Sequence, residues 1–533
     1  MMKKILFLLV ACFHVLSPNA VQPAIATEAL PLYTDSRWIV DETGKRVKLG
    51  CVNWASHLQP LLAEGLNKQP LDVISKQIVA MGFNCVRFTW PLWMATNDTL
   101  SSMTVQQSFE SLGLLESIGA IRVNNPSMLN LTILQAFQTV VSNLGENGVM
   151  VILDNHISKP GWCCSNTDGN GYFGDIYFDP NLWIEGLTRM ATLFNGTSNV
   201  IGMSLRNELR GPNQDVSIWY KYMQLGAEAV HKANPNVLTI LSGLDFDKDL
   251  HFLHNQPVNL SFTRKLVFEL HWYSFSDGNA WATGNPNQVC GVVNALKNKI
   301  LFVLDQGYPL FVSEFGIDLR GTNVKDNRYS SCIFGVAAEL DFDWALWTLM
   351  GSYYLREGVL GLEEVYGVMN WDWSGPRNST FLRRLSSIRS AFRGPGLDEV
   401  TPYQILYHPL TGLCVQRASQ KKQLKLGSCD EPASWIYTPE MTIKVKGTGL
   451  CLHGDRLGER ANLQDCNSPG SIWMPITDSK MHLASKLAGG STVCLDIDSK
   501  NKIITSPCQC LLGDPTCDPG SQWFKIINST RSL

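Results

Sequence analysis

The chain has little charge: Lys, Arg, Asp and Glu make up 17% of 533 residues, with a formal net charge of −3. It has no basic run or patch of the kind that binds nucleic acid and no acidic tail that would solvate itself. It has no His-Glu-x-x-His or similarly spaced pair of metal ligands, so no metal is expected. Beyond the N-terminus it has no apolar run long enough to cross a bilayer. It closes Thr-Arg-Ser-Leu, which is not an endoplasmic-reticulum retention tetrapeptide. What is plentiful is apolar residues, at 45%, and Trp, of which there are 16. That is enough for a large core, and the length exceeds one ordinary domain.

The N-terminus begins with Lys3-Lys4, then an apolar run from Ile5 to Leu16, then Ala24-Ile25-Ala26. Charge, short apolar core and small residues in that order read as a secretory signal peptide over 1–26, cut near Ala26, with Ala20 as the alternative site. Removing Cys12 with it leaves 14 of the 15 cysteines in a compartment that permits disulfides. Asn-x-Ser/Thr sequons begin at Asn97, Asn130, Asn195, Asn259, Asn378 and Asn528, which favours a secreted glycoprotein of the extracellular space or cell wall. No membrane partner is expected after cleavage, and the protein is read as a monomer.

A lead-in hairpin is expected around Arg37-Trp38-Ile39-Val40, with a turn at Asp41–Gly44. From Val47 onward, apolar runs alternate with helical patterns. Strands are predicted at 47–53, 84–88, 149–153, from 200, 237–241, 266–270, 308–314 and 343–349, with helices between them. Eight such units imply a closed parallel (β/α)8 barrel. Two runs end abruptly in polar groups: Val200 to Leu205 in Arg206-Asn207-Glu208, and Tyr308 to Val312 in Ser313-Glu314. A strand of such a barrel ends in the catalytic face. Two glutamates there supply what glycosidic bond cleavage needs, an acid and a nucleophile or base. Arg87, His156 and His271-Trp272-Tyr273 fall at other predicted strand ends. His271 and Tyr273, two apart on one strand, share a face. Trp54, Trp90, Trp93, Trp162 and Trp281 all follow strands, and two of the five are expected to stack on sugar. Cys51 and Cys85 read as buried thiols. Cys163 and Cys164, being adjacent, are not expected to bond each other, and one could reach Cys290.

After Arg393-Gly394-Pro395-Gly396 the pattern changes to short strands in three copies of about 40 residues. Gly412-Leu413-Cys414 leads to Cys429 and Trp435; Gly449-Leu450-Cys451 leads to Cys466 and Trp473; Thr492-Val493-Cys494 leads to Cys508 or Cys510 and Gln522-Trp523. The repeated Cys-x14-Cys spacing predicts Cys414–Cys429 and Cys451–Cys466 disulfides. The boundaries read 27–393 for the barrel, 394–402 for a linker and 403–533 for an all-β unit of threefold type.

Gly82-Phe83-Asn84-Cys85-Val86-Arg87, Asp154-Asn155-His156, Arg206-Asn207-Glu208, His271-Trp272-Tyr273, Ser313-Glu314-Phe315-Gly316 and Trp347 together make residues 35–390 resemble glycoside hydrolase family 5, the cellulase-like retaining β-glycosidases. Residues 403–527 resemble a ricin B-chain-type β-trefoil, and the combination is similar to secreted plant members of family 5. The resemblance implies Glu208 as acid/base, Glu314 as nucleophile and Asn207 on the sugar 2-hydroxyl. It implies Arg87, His271 and Tyr273 beside the two carboxylates, His156 lining the cleft and Trp347 as a sugar floor. No cofactor is implied, and the partner is a polysaccharide or oligosaccharide. The expected substrate is a β-linked glucan or related cell-wall polysaccharide. The alternatives are a β-mannan or small β-glucoside hydrolase or, in another class, an inactive carbohydrate-binding protein. Leu209-Arg210 stands where the family commonly has Pro. In the trefoil, only Asp496 fits the usual sugar-binding Asp; Gln416 and His453 stand in the other copies, with no platform aromatic, which implies a weak lectin site at most.

Overall fold

The computed structural model describes residues 29–295, 300–397, 402–418, 423–511 and 513–531. The leader over 1–26 lies outside the described residues, as does part of the 394–402 segment. Eight parallel strands close into a barrel: β1 (Gly50–Trp54), β2 (Cys85–Pro91), β3 (Met150–Ile157), β4 (Val200–Ser204), β5 (Leu238–Leu241), β6 (Leu266–His271), β7 (Leu310–Phe315) and β8 (Asp343–Leu346). β8 pairs back onto β1. The intervening helices include α1 (Leu71–Ala80), α2 (Ile133–Glu146), α3 (Pro180–Leu193), α4 (Val216–Ala233) and α5 (Val324–Leu340). α2 begins in a Thr132/Gln135 capping box and α3 on the Asp179 side chain with Pro180 at its first position, so their starts are written locally.

Alternation along the strands sorts the barrel interior into two layers. Cys85, Met150, Ile152, Val267, Phe311 and Ala345 fill the lower layer, and Leu32, Ile39, Val47 and Leu49 of the N-terminal segment plug it from below. Two residues further along the same strands stand Arg87, Asp154 and Glu269, all fully buried. The apolar floor thus carries a charged layer directly under the catalytic-face end. Cys51 and Cys85, paired across β1 and β2, are joined as a disulfide rather than left as thiols. The expected barrel strands are all present, shifted by up to four residues at their ends. The lead-in forms two short strands, Tyr33–Asp35 and Trp38–Val40, turning at Ser36, with a second turn at Asp41–Gly44 where expected. Between β2 and α2 lie four short helices over 92–124 that no strong periodicity announced.

The C-terminal region is mostly antiparallel strands, with Tyr403–His408 pairing the last strand, Lys525–Ser529, so that the unit closes on itself. Trp435, Trp473, Leu452, Leu463, Leu483 and Leu495 form its core. Cys414–Cys429 and Cys451–Cys466 are bonded as expected, and Cys494–Cys508 and Cys510–Cys517 complete the third copy. Tyr403, Ile405, Tyr407, Met481 and Trp523 pack into the barrel's own core. Lys525 pairs with Glu339 at 2.9 Å, and the Trp523 indole donates to Asn287 Oδ1 at 2.8 Å. The segment after Arg393 is likewise packed: Arg46 N–H donates to Pro395 O at 2.8 Å.

Candidate active site

The catalytic-face ends of the strands surround a cleft of about 720 Å³. Glu208, Glu314, Asn207, His156, His271, Tyr273 and Trp347 all line it. Arg87 lies beneath, wholly buried. Its guanidinium fork holds Glu314 and its neighbours: Nη1 donates to Glu314 Oε1 at 2.9 Å and to Asn53 Oδ1 at 3.0 Å, and Nη2 donates to Asn207 Oδ1 at 2.9 Å. Nη2 also lies 2.9 Å from Asp154 Oδ1 and 3.6 Å from Glu269 Oε2. A buried cation needs such partners, and each partner is in turn fixed by it.

Glu314 receives the Tyr273 hydroxyl on its other oxygen at 2.8 Å. His271 Nδ1 stands 2.9 Å from Glu208 Oε1 and 3.6 Å from Glu314 Oε2. One oxygen from each glutamate and a His271 nitrogen all lie within 4.8 Å of one another. Two carboxylates and an imidazole are also donors that a divalent cation takes, but both Glu314 oxygens are already occupied by Arg87 and Tyr273.

Burial pushes the Glu208 carboxyl up to about 7, against the pull of Arg210 and Arg87. Burial also raises Glu314 above the ordinary carboxylate value, while His271, Arg87 and the Tyr273 hydroxyl hold it down. Burial lowers His271 and drives His156 well below the usual imidazole value, so both favour the neutral ring. His156 Nδ1 is 2.6 Å from Asp154 Oδ2, and its ring lies over Trp347 with centroids 5.6 Å apart. The two carboxyls thus differ in their surroundings: Glu314 is held by Arg87 and the Tyr273 hydroxyl, whereas Glu208 faces His271.

Several contributors were not legible in advance. Asp247, fully buried in a left-handed turn (φ 58°), accepts from the Glu208 N–H at 3.1 Å and faces His271 Nε2 at 3.5 Å. Asn53 and Glu269 partner Arg87. The segment after β8 sends Arg356, Glu363, Glu364 and Tyr366 to the cleft. Of the five tryptophans, Trp54, Trp90 and Trp281 are wholly buried in the core. Trp93 packs edge-on to Tyr177, and Trp162 alone of the five lines the cleft, with the Arg356 guanidinium 3.4 Å over its ring. Two corrections concern cysteines. Cys163 and Cys164 are bonded to each other, and Cys290 is bonded to Cys332, not to either of them. Nearby Cys290 and Cys332 sit on packed helices, which is what brings those two together.

Residues 40–352 match the family model for Cellulase (glycosyl hydrolase family 5). The chain belongs to glycosyl hydrolase family 5. It is 46% identical over 531 residues to a glycosyl hydrolase 5 family protein of Chamaecyparis obtusa, covering 96% of this chain and 95% of that one. An endoglucanase of Paenibacillus polymyxa is 24% identical over 258 residues, 45% of this chain and 59% of its own. Among solved structures, the catalytic domain of the major endoglucanase from Xanthomonas campestris pv. campestris superposes with a TM-score of 0.53 at 21% identity, covering 66% of this chain and 99% of that one. A hyperthermophilic endocellulase from Pyrococcus horikoshii gives 0.52 at 21%, covering 67% and 99%. Residues 403–515 match the ricin-type beta-trefoil lectin domain. Family 5 membership makes the chain a glycosyl hydrolase.

Proposed function

We propose that the chain is a secreted, retaining β-glycosidase that cuts a β-linked glucan or related cell-wall polysaccharide by double displacement. The observation that carries this is the approach of Glu208 and Glu314 oxygens to within 4.8 Å. Retaining enzymes hold their carboxyls about 5–5.5 Å apart, whereas an inverting enzyme needs about 6.5–9.5 Å to admit a water between them. Glu314 attacks the anomeric carbon while Glu208, its carboxyl pushed up to about 7, protonates the leaving oxygen. Glu208 then deprotonates the water that releases the glycosyl-enzyme. Asn207 binds the 2-hydroxyl, Arg87 and Tyr273 hold Glu314, and His271 bridges the two carboxylates. His156 lines the cleft and Trp347 forms the sugar floor. This chemistry draws on no metal or cofactor.

The domain reading is 1–26 leader, 27–393 barrel, 394–402 connection and 403–533 trefoil, acting as a monomer. Seven disulfides among the described residues support an oxidising, extracellular setting. Of the sequon asparagines, Asn97, Asn130, Asn195, Asn259 and Asn528 are exposed, and Asn378 is half-buried. The trefoil is read as mainly structural. Asp496 is 5% exposed and its Oδ2 accepts from Gln522 at 3.0 Å, so the one candidate lectin carboxylate is already occupied.

The test is a pair of variants on a dinitrophenyl β-cellobioside and a polysaccharide panel. Glu314→Gln should lose turnover while the barrel stays folded. Glu208→Ala should still form the glycosyl-enzyme, because an activated leaving group needs little protonation, and azide should rescue it to a β-glycosyl azide. An α-azide product would contradict double displacement.

A further inference from the structure

The loop after β3 carries two adjacent cysteines that are bonded to each other. The remaining described cysteines are taken up in other pairs. A disulfide ordinarily stabilises by closing a loop in the unfolded chain. One between neighbours closes none, so its use must be local. Both residues line the cleft. The two sulfurs and an oxygen of Glu208 lie within 4.8 Å of one another. The Asn207 side-chain amide stands 3.7 Å from Cys163 Sγ and 3.6 Å from Cys164 Sγ. Trp162, the preceding residue, and Trp347 line the same cleft with ring centroids 6.3 Å apart. The sulfur pair therefore sits beside the acid/base and the 2-hydroxyl ligand, among the aromatic faces that would meet a sugar.

We propose that the Cys163–Cys164 disulfide is a sugar-contacting wall of the cleft, against which the apolar C–H face of a ring at the scissile bond packs. The inference rests on reading this cleft as a β-glycan site. Two free thiols would offer weak donors on rotatable side chains. Joined, they form a rigid, polarisable surface without a proton, and a rigid surface loses no side-chain freedom when sugar binds. A contact of this kind is made in the ground state and the transition state alike. It therefore acts on KM and leaves kcat alone.

The test uses the full-length protein. Alkylation without reductant, followed by non-reducing peptide mapping, should find the peptide with Cys163 and Cys164 unalkylated and lacking two hydrogens relative to the dithiol. The Cys163→Ser/Cys164→Ser variant should raise KM for cellotetraose by about tenfold, the scale of one apolar group lost from a pocket, with kcat within about twofold. Its Tm should match wild type, because no loop is opened. If the double serine variant misfolds, Cys163→Ala/Cys164→Ala gives the same comparison. Alkylation of both cysteines without reductant would overturn the proposal. So would an unchanged KM, or a fall in kcat and Tm at constant KM, which marks a structural staple. If wild type cleaves no β-glycan in the panel, it is the functional reading that fails, and the wall falls with it, while the mapping result stands.

Discussion

Tyr273→Phe removes one oxygen, and its effect can be worked from the structure. That hydroxyl donates to Glu314 Oε2 at 2.8 Å, and Glu314 is 5% exposed. Burial drives the Glu314 carboxyl up, and the Tyr273 hydroxyl is one of three groups pulling it back, after His271 and Arg87. A hydrogen bond to a charged group is worth about 1.5–3 kcal/mol. Its loss takes that stabilisation from the carboxylate and moves the Glu314 pKa further up. As the proposed nucleophile Glu314 acts when ionised, so a higher pKa means activity is lost at a higher pH on the acid side. The alkaline side would be set by Glu208 as the proposed acid, its carboxyl pushed up to about 7 by burial. Arg87 still holds Oε1, and the Phe ring keeps its stack on Phe275, with centroids now 4.6 Å apart. The fold should therefore survive. The assay is kcat/KM for an aryl β-cellobioside from about pH 3 to 9, which reports the free enzyme's acid and base. The acid limb should move to higher pH, with the alkaline limb in place. An acid limb that stays put, or moves down, refutes the assignment of Tyr273 as the donor that keeps Glu314 ionised.

Other outcomes follow from the same geometry. The wild-type profile should be a bell whose alkaline limb falls near pH 7, the value to which burial lifts Glu208; Glu208→Gln should abolish that limb. Arg87→Met leaves Asp154, Glu269 and Glu314 buried without their cation, and should cost about 3–5 kcal/mol in denaturant unfolding as well as activity. In the full-length protein carrying Glu314→Gln, galactose and lactose should bind no tighter than roughly millimolar by calorimetry, about −4 kcal/mol. A micromolar site lost in Asp496→Ala would show that the trefoil is a working lectin.

What the sequence showed and what it hid have one physical cause. Apolar runs of four to seven residues ending in polar groups are local patterns, and they located β4 with Asn207-Glu208 and β7 with Glu314. His271 ends β6, and Tyr273, expected on the same strand, follows in the next turn, though both line the cleft. Asp247 was invisible because its place depends on three successive left-handed residues, Asp245, Phe246 and Asp247, in a loop with no periodicity. The post-β8 segment with Arg356 and Tyr366 was hidden for the same reason. Cys51 and Cys85 read as separate core thiols because only barrel register makes them neighbours. Cys163 and Cys164 misled in the opposite sense, since sequence adjacency argued against the bond that the cleft contains. The seating of Trp523 on Asn287 joins residues 236 apart, beyond any local signal.

In the proposed mechanism Glu314 becomes covalently glycosylated while Glu208 moves the proton. The most direct measurement is to incubate the full-length enzyme with a 2-deoxy-2-fluoro-β-cellobioside bearing a good leaving group, then map the trapped adduct by mass spectrometry of peptides. One glycosyl adduct is expected, on the peptide that contains Glu314 and at that side chain, released when a sugar acceptor is added. An adduct on Glu208, or an enzyme that turns over natural substrate yet never carries an adduct, would contradict it.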